Sequence, residues 1–244
     1  MEKWTGVAVK KFPNSVSFWR RRAAALKSNG KNDEAIAAFR RVAQVDPNDF
    51  ASRIQIGQSL SDKASAVFDS LGRLTDDLTA KKDTVRLKQM RPSLEPVAAA
   101  AWAQADSVLS DAIRLASAET SVNIGALIFQ PATKLAGKQN APNLSIAMLE
   151  KALPLVASND QLVKQANFFL GLSYLYKIQT LDFPAITKNK DCAAMNELEV
   201  MASRGKAAIL AGASVQLATA NQLSGIFDGI AKTPPQAKKA WACK

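Results

Sequence analysis

The sequence predicts an all-α fold, and three observations carry that expectation. Alanine dominates the apolar residues, as in Ala23-Ala24-Ala25 and Ala98-Ala99-Ala100-Ala101; it has the best helix propensity of all residues and lets helices approach closely. Prolines and glycines gather at segment boundaries instead of recurring every few residues. Two stretches near the N-terminus also repeat each other at an offset of about 34 residues. Pro13-Asn14 returns as Pro47-Asn48, Ala8-Val9 as Val42-Ala43, and Arg22-Ala23-x2-Leu26 as Ile56-Gly57-x2-Leu60. Self-similarity at that spacing signals helical hairpins that bury their apolar faces on one another.

The elements follow in order. A first helix over Lys3 to Lys11 ends at Phe12-Pro13-Asn14, because proline cannot continue a helix and restricts the residue before it. Ser15 is the N-cap of a second helix that runs to Lys27, and Ser28-Asn29-Gly30 closes it with a glycine suited to a left-handed C-terminal conformation. Asn32 or Asp33 opens the partner helix, which stops at Asp46-Pro47. A further unit begins at Asp49, turns after Ser61, and continues as a second helix from Ala64 to Thr79, with Phe68, Leu71, Leu74 and Leu78 at helical spacing. Lys81-Lys82-Asp83 reads as a loop. From Thr84 to Asn140 the register is lost, with helices expected over Pro92 to Ala118 and over Thr120 to Gln130, the latter ended near Pro131. Asn140-Ala141-Pro142-Asn143 reads as a break with a helix start after it. Helices are then expected over Gln161 to Leu181, Cys192 to Ala211, Ala218 to Ile230 and Pro235 to Cys243, with Asp182-Phe183-Pro184 breaking the chain between the first two.

One full unit lies between the recurring stretches: Trp19-x2-Arg22-Ala23-x2-Leu26, then Ala35-x3-Phe39, then Pro47. It resembles the tetratricopeptide repeat pattern W-x2-L-G-x2-Y, A-x3-F, P. Leu170-Gly171-x2-Tyr174 matches L-G-x2-Y again, and Ser145-x3-Leu149-x2-Ala152 has second-helix character. The resemblance covers 1–79, is partial over 145–180 and is absent elsewhere. It implies a right-handed α-α superhelix with an atypical C-terminal helical cap, terminal repeats having one face that must meet water. The chain divides into TPR-like hairpins over 1–80, an irregular long-helix section over 81–140, and a degenerate hairpin plus cap over 141–244, all one continuous solenoid. Within the clear unit the resemblance makes Ala35 the small contact where two helices cross, Phe39 a wedge and Trp19 a filler, all three core residues. On the same pattern the chain starts inside a unit, so an upstream piece carrying any targeting segment is expected.

The same resemblance implies a groove lined by fixed first-helix positions. Carried onto this sequence they are Ser17, Arg20, Ala24, Lys27 and Ser28, then Ala51, Ile54, Gln58, Ser61 and Asp62. Arg20 and Lys27 would stand about two turns apart, placed to hydrogen-bond carboxylates of an extended peptide. The family's carboxylate clamp for an acidic tail wants asparagine where Ala24 stands, and asparagine and basic residues where Gln55 and Ala51 stand, so that clamp is not expected.

Composition bounds the chemistry. The chain has 244 residues, a formal charge of +11 and no histidine. Lys10-Lys11, Arg20-Arg21-Arg22, Arg40-Arg41 and Lys81-Lys82 spread the positive charge along helix faces and ends, which favours anionic partners. Without aromatic-basic interleaving or a nucleic-acid motif, nucleic-acid binding is the weaker reading. The lack of histidine removes the commonest general base and metal ligand. Paired carboxylates at Asp76-Asp77 and Glu197-x-Glu199 do not share a helix face, and Gly205, Gly212, Gly225 and Gly229 lack the spacing of a phosphate loop. Asn143-Leu144-Ser145 matches a glycosylation sequon, a triplet that arises often by chance. No enzyme, cofactor or metal is expected.

Cys192 and Cys243 leave two choices, a disulfide or two inert thiols. A bridge is favoured because it would pin a terminal segment that otherwise frays, and it points to an oxidising compartment, periplasmic or extracellular. No run of eighteen apolar residues suggests a membrane span. The leading expectation is a non-enzymatic scaffold that binds another protein or peptide, with acidic segments among the candidates. Its rival is a structural subunit that self-assembles into an oligomer or filament.

Overall fold

The computed structural model describes residues 1–138 and 140–243, and every regular element among them is helical. The order is α1 (Glu2–Lys11), α2 (Val16–Ser28), α3 (Asn32–Val45), α4 (Phe50–Ala80), α5 (Thr84–Leu115) and α6 (Ala118–Gly137), followed by α7 (Pro142–Leu155), α8 (Asp160–Gln179) and α9 (Phe183–Asn189). Then come α10 (Cys192–Ala211), a short 3-10 turn (Ala213–Val215), α11 (Leu217–Ala231) and α12 (Thr233–Trp241). Neighbours in sequence pack on one another, α1 on α2, α2 on α3, α3 on α4, α4 on α5, α6 on α7 and α7 on α8, while α10 rests on α8, α11 and α12. One connected apolar cluster runs from Ala23 to Phe227.

Caps explain where most helices start. Ser15, Asp49, Asp83, Ser117, Asn159, Asp182 and Asp191 each accept a backbone N–H of the first turn of the helix that follows, satisfying a donor that the helix itself leaves unpaired. Gly30 takes the left-handed conformation expected of it, at φ +74°. Ala35 and Phe39 are buried as expected. Trp19 is only half-buried: it packs against the core and donates its indole N–H to the Pro13 carbonyl at 2.8 Å.

Four boundary expectations are corrected. No turn follows Ser61; α4 runs unbroken for 31 residues, about 46 Å at the helical rise. No proline interrupts it, and both Gly57 and Gly72 sit buried within it. Ala64 and Phe68 are buried as the repeat pattern asks, but on the same helix as Ile56 and Leu60. The partner hairpin is therefore α4–α5. Helix α5 in turn begins at Thr84 and passes through Pro92 and Pro96. Both prolines are exposed, so carbonyls left without an N–H partner can reach water.

Helix α6 likewise continues past Pro131 to Gly137. Pro131 cannot donate to the Leu127 carbonyl four residues back, and the Ser61 hydroxyl of α4 donates to that oxygen instead, at 3.2 Å. The fourth correction is small. Phe183-Pro184 opens the short helix α9, with proline in its first turn and Asp182 as cap. At the C-terminal end, Cys192 at the start of α10 is bridged to Cys243 just beyond α12, with Cα atoms 5.8 Å apart.

Candidate functional site

Helix α2 and the first turns of α4 lie side by side, and two polar contacts join them. Asp49, the N-cap of α4, is almost fully enclosed, its side chain 2 % exposed. Its carboxylate accepts hydrogen bonds from Arg20 Nε at 3.0 Å and from the Ser52 hydroxyl at 2.7 Å, while Arg20 Nη2 stands 3.0 Å from the other oxygen. Burial alone would raise the Asp49 pKa, but the hydrogen bonds from Arg20 and Ser52 outweigh it and hold the group below its ordinary value. The Arg20 guanidinium is pushed up in turn by its bond to Asp49. Two turns along α2, Lys27 Nζ donates to Gln55 Oε1 at 2.8 Å.

Between those contacts the facing residues are Ala24 on α2 and Ala51 on α4. Their small side chains leave a cleft of about 730 Å³, whose floor is Phe39, Phe50 and Ile54. Arg20, Lys27, Ser28, Gln55 and Asn123 form its polar rim. Phe39 comes from α3 and Asn123 from α6, so four helices contribute to the cleft. The lining holds two cations and no carboxylate. Lys27 meets a neutral amide, and among the described residues no carboxylate pairs with it. Cavities of a few hundred to a thousand Å³ that are mostly apolar with a few polar groups are typical ligand sites.

The sequence-derived groove positions fall into two groups. Arg20, Ala24, Lys27, Ser28, Ala51 and Ile54 line the cleft together. Ser17 and Asp62 are exposed outside it, and Gln58 is half-buried outside it. Ser61 is buried and turned to α6. Sequence reasoning misses Gln55, Phe50, Ser52 and Asn123. Repeat spacing picks Ile54 and Gln58 on α4, whereas the cleft ends at the second turn, where Gln55 is the residue that Lys27 can reach. Asn123 lies in a segment with no repeat register at all. The Arg20 fork is filled by Asp49, whereas Lys27 bonds only the neutral Gln55 amide among the described residues.

Comparison with protein-family models and with curated proteins finds no match to this chain. Among the described residues no group of three or more His, Cys, Asp or Glu is arranged to hold a metal ion. No helix among them is long and apolar enough to cross a membrane.

Proposed function

We propose that this chain is a non-enzymatic, tetratricopeptide-like helical scaffold that binds a short segment of another protein in the cleft between α2 and α4. In this proposal α1 to α3 and the start of α4 are the right-handed superhelical part, and the long α4–α5 pair ends the regular stacking. The observation that carries it is the cleft itself: an apolar floor under a rim with two cations and no carboxylate. Such a surface complements a segment with an apolar anchor followed closely by Asp or Glu. The anchor would bury on Phe39, Phe50 and Ile54, and its acidic neighbour would meet Lys27 in a charge-assisted contact. The pairing of Cys192 with Cys243 supports a periplasmic or extracellular setting for that encounter.

Selection from a displayed random-peptide library tests the proposal. The chain should enrich sequences that couple an apolar residue to an acidic one. Ala51→Arg, which fills the cleft, and Lys27→Glu, which reverses its free charge, should each abolish that enrichment while leaving the circular-dichroism melting curve in place. A library that enriches nothing, or enriches the same sequences on both variants, would remove the cleft from consideration.

A second reading, self-association, has its own observation. Trp4, Val7 and Phe12 of the α1 segment are 56 %, 66 % and 47 % exposed, and Trp4 and Phe12 flank Phe18 at ring distances of 5.9 and 5.4 Å. Exposed aromatic clusters of this kind favour contact with another surface. Light scattering across a concentration series should then report a mass above that of one chain, returning to the single-chain value in Trp4→Asp.

A further inference from the structure

Lining none of the α2–α4 cleft, helix α5 carries Lys88 and Arg91 three residues apart, and neighbours at that spacing share a helix face. Both line a cavity of about 700 Å³ that is walled by Asn143 of α7, the end of α8 and the start of α9. Arg91 is 8 % exposed, yet no carboxylate among the described residues pairs with it directly. Its Nε is sealed from solvent with no hydrogen-bond partner, and among the described residues no carboxylate stands within ion-pair distance of its guanidinium. Burial depresses its pKa, and only the field of Glu95 pulls the other way. A buried guanidinium left without an acceptor is costly.

The nearby acceptors are already engaged. Glu95, one turn along α5, takes the Asn143 side-chain amide at 3.1 Å and its backbone N–H at 3.5 Å. Asp182 caps α9 through the Ala185 N–H at 3.1 Å. The carbonyls of Lys177 and Ile178, at the end of α8, accept from the N–H groups of Thr180 and Leu181. The fold thus places a cation with a sealed, unpartnered Nε at a cavity wall and sets a second cation beside it. Glu95 and Asp182 stand in the same wall, but among the described residues neither forms an ion pair with Arg91 or Lys88. We propose that this cavity binds a small organic oxyanion, a carboxylate or a phosphate ester, with Arg91 as the principal contact and Lys88 as the auxiliary charge. The volume is that of a small-molecule site. The amide of Gln179 at its wall suits a ligand with a further polar group.

Calorimetric titration of the full chain at low ionic strength, with succinate and separately with inorganic phosphate, tests the site. At least one probe should bind, and Arg91→Met should weaken that binding by about tenfold or more, as loss of a charge-assisted contact does. Lys88→Gln should weaken it less. Arg40→Gln on α3, which removes the same charge elsewhere, should leave it unchanged. Which probe binds tells carboxylate from phosphate chemistry. Because Arg91→Met removes a buried charge that has no direct ion-pair partner, its melting temperature should equal or exceed that of the parent, which separates lost binding from lost fold. No binding of either probe to the parent chain, or binding that Arg91→Met leaves within about twofold, overturns the site. An equal loss in Arg40→Gln overturns it too, since the long-range positive field would then suffice.

Discussion

Arg20 lines the cleft between α2 and α4 while holding a carboxylate of its own chain. Repeat spacing puts it on a groove face, and the group it grips is the buried Asp49. Nothing in the linear sequence announces that pair, which is 29 residues apart. The Asp49 pKa is lower in the folded chain than its ordinary 3.8. Its contribution is therefore present in full above that ordinary value and is lost as pH falls through the folded one. Arg20→Met leaves a buried carboxylate short of its strongest donor and should cost about 1–3 kcal/mol at neutral pH. Urea melts at pH 7 and in acid check this: the deficit should shrink as pH falls through the folded-state pKa, where Asp49 of the parent takes up its proton and the Arg20 bond loses its charge. A deficit that is the same at both pH values would mean that Arg20 acts by packing its stem, not by its charge.

At the scale of helices, local signals find the starts well because caps and turns are short-range chemistry. Ser15, Asp49 and Gly30 lie where the chain says they should. Continuity is harder to read, because it depends on what a distant helix offers. Pro131 reads as a stop signal, yet α6 passes through it because Ser61, on α4, serves the Leu127 carbonyl that Pro131 orphans. Repeat spacing places Ser61 in the groove for the same reason: it cannot see α6. A double-mutant cycle measures the exchange. Ser61→Ala should cost about 1 kcal/mol or somewhat more in the parent chain. It should cost less in a Pro131→Ala background, where residue 131 regains an N–H for Leu127. Additive effects in chemical denaturation would sink the assignment.

Close glycine contacts fix how other helices meet. A Cβ added at Gly205 of α10 would lie 2.5 Å from the Phe227 ring and 3.0 Å from Tyr174 Cβ, while one at Gly171 of α8 would lie 2.4 Å from Ile209. Phe227 and Ile209 are fully buried and have little room to move. Gly205→Ala should therefore destabilise by about 1–3 kcal/mol through overpacking, in spite of the better helix propensity of alanine. A melting temperature at or above the parent value would show that α8, α10 and α11 can part without loss. Gly171 stands out in the sequence as part of Leu170-Gly171-x2-Tyr174. Gly205 does not, because its partner Phe227 comes from a segment with no repeat signature.

For the whole molecule, ion pairs between helices are numerous but exposed, as in Lys134–Asp69 from α6 to α4 and Lys206–Asp228 from α10 to α11. Pairs of this kind contribute little each, so the connected apolar cluster and the single disulfide hold the fold. The bridge spans a sequence separation of 51, for which loop-closure entropy gives a ceiling of about 4 kcal/mol. Its effect should be uneven. Helix α12 has nine residues, too few to be stable alone, and it rests on α10 through buried Pro234, half-buried Trp241 and the Lys238 bonds to Glu199 and Asn196. Without the tether those contacts must hold it by themselves. Cys192→Ser combined with Cys243→Ser should therefore let trypsin cut at Lys238 and Lys239 under native conditions, while sites within α8 stay protected. Because the reduced native state recovers freedom at its end, the global loss should fall short of the ceiling. Protection at α12 equal to that of the bridged chain would show that packing alone secures it. A loss near the full ceiling, with no new cleavage, would place the whole effect of the bridge in the unfolded chain.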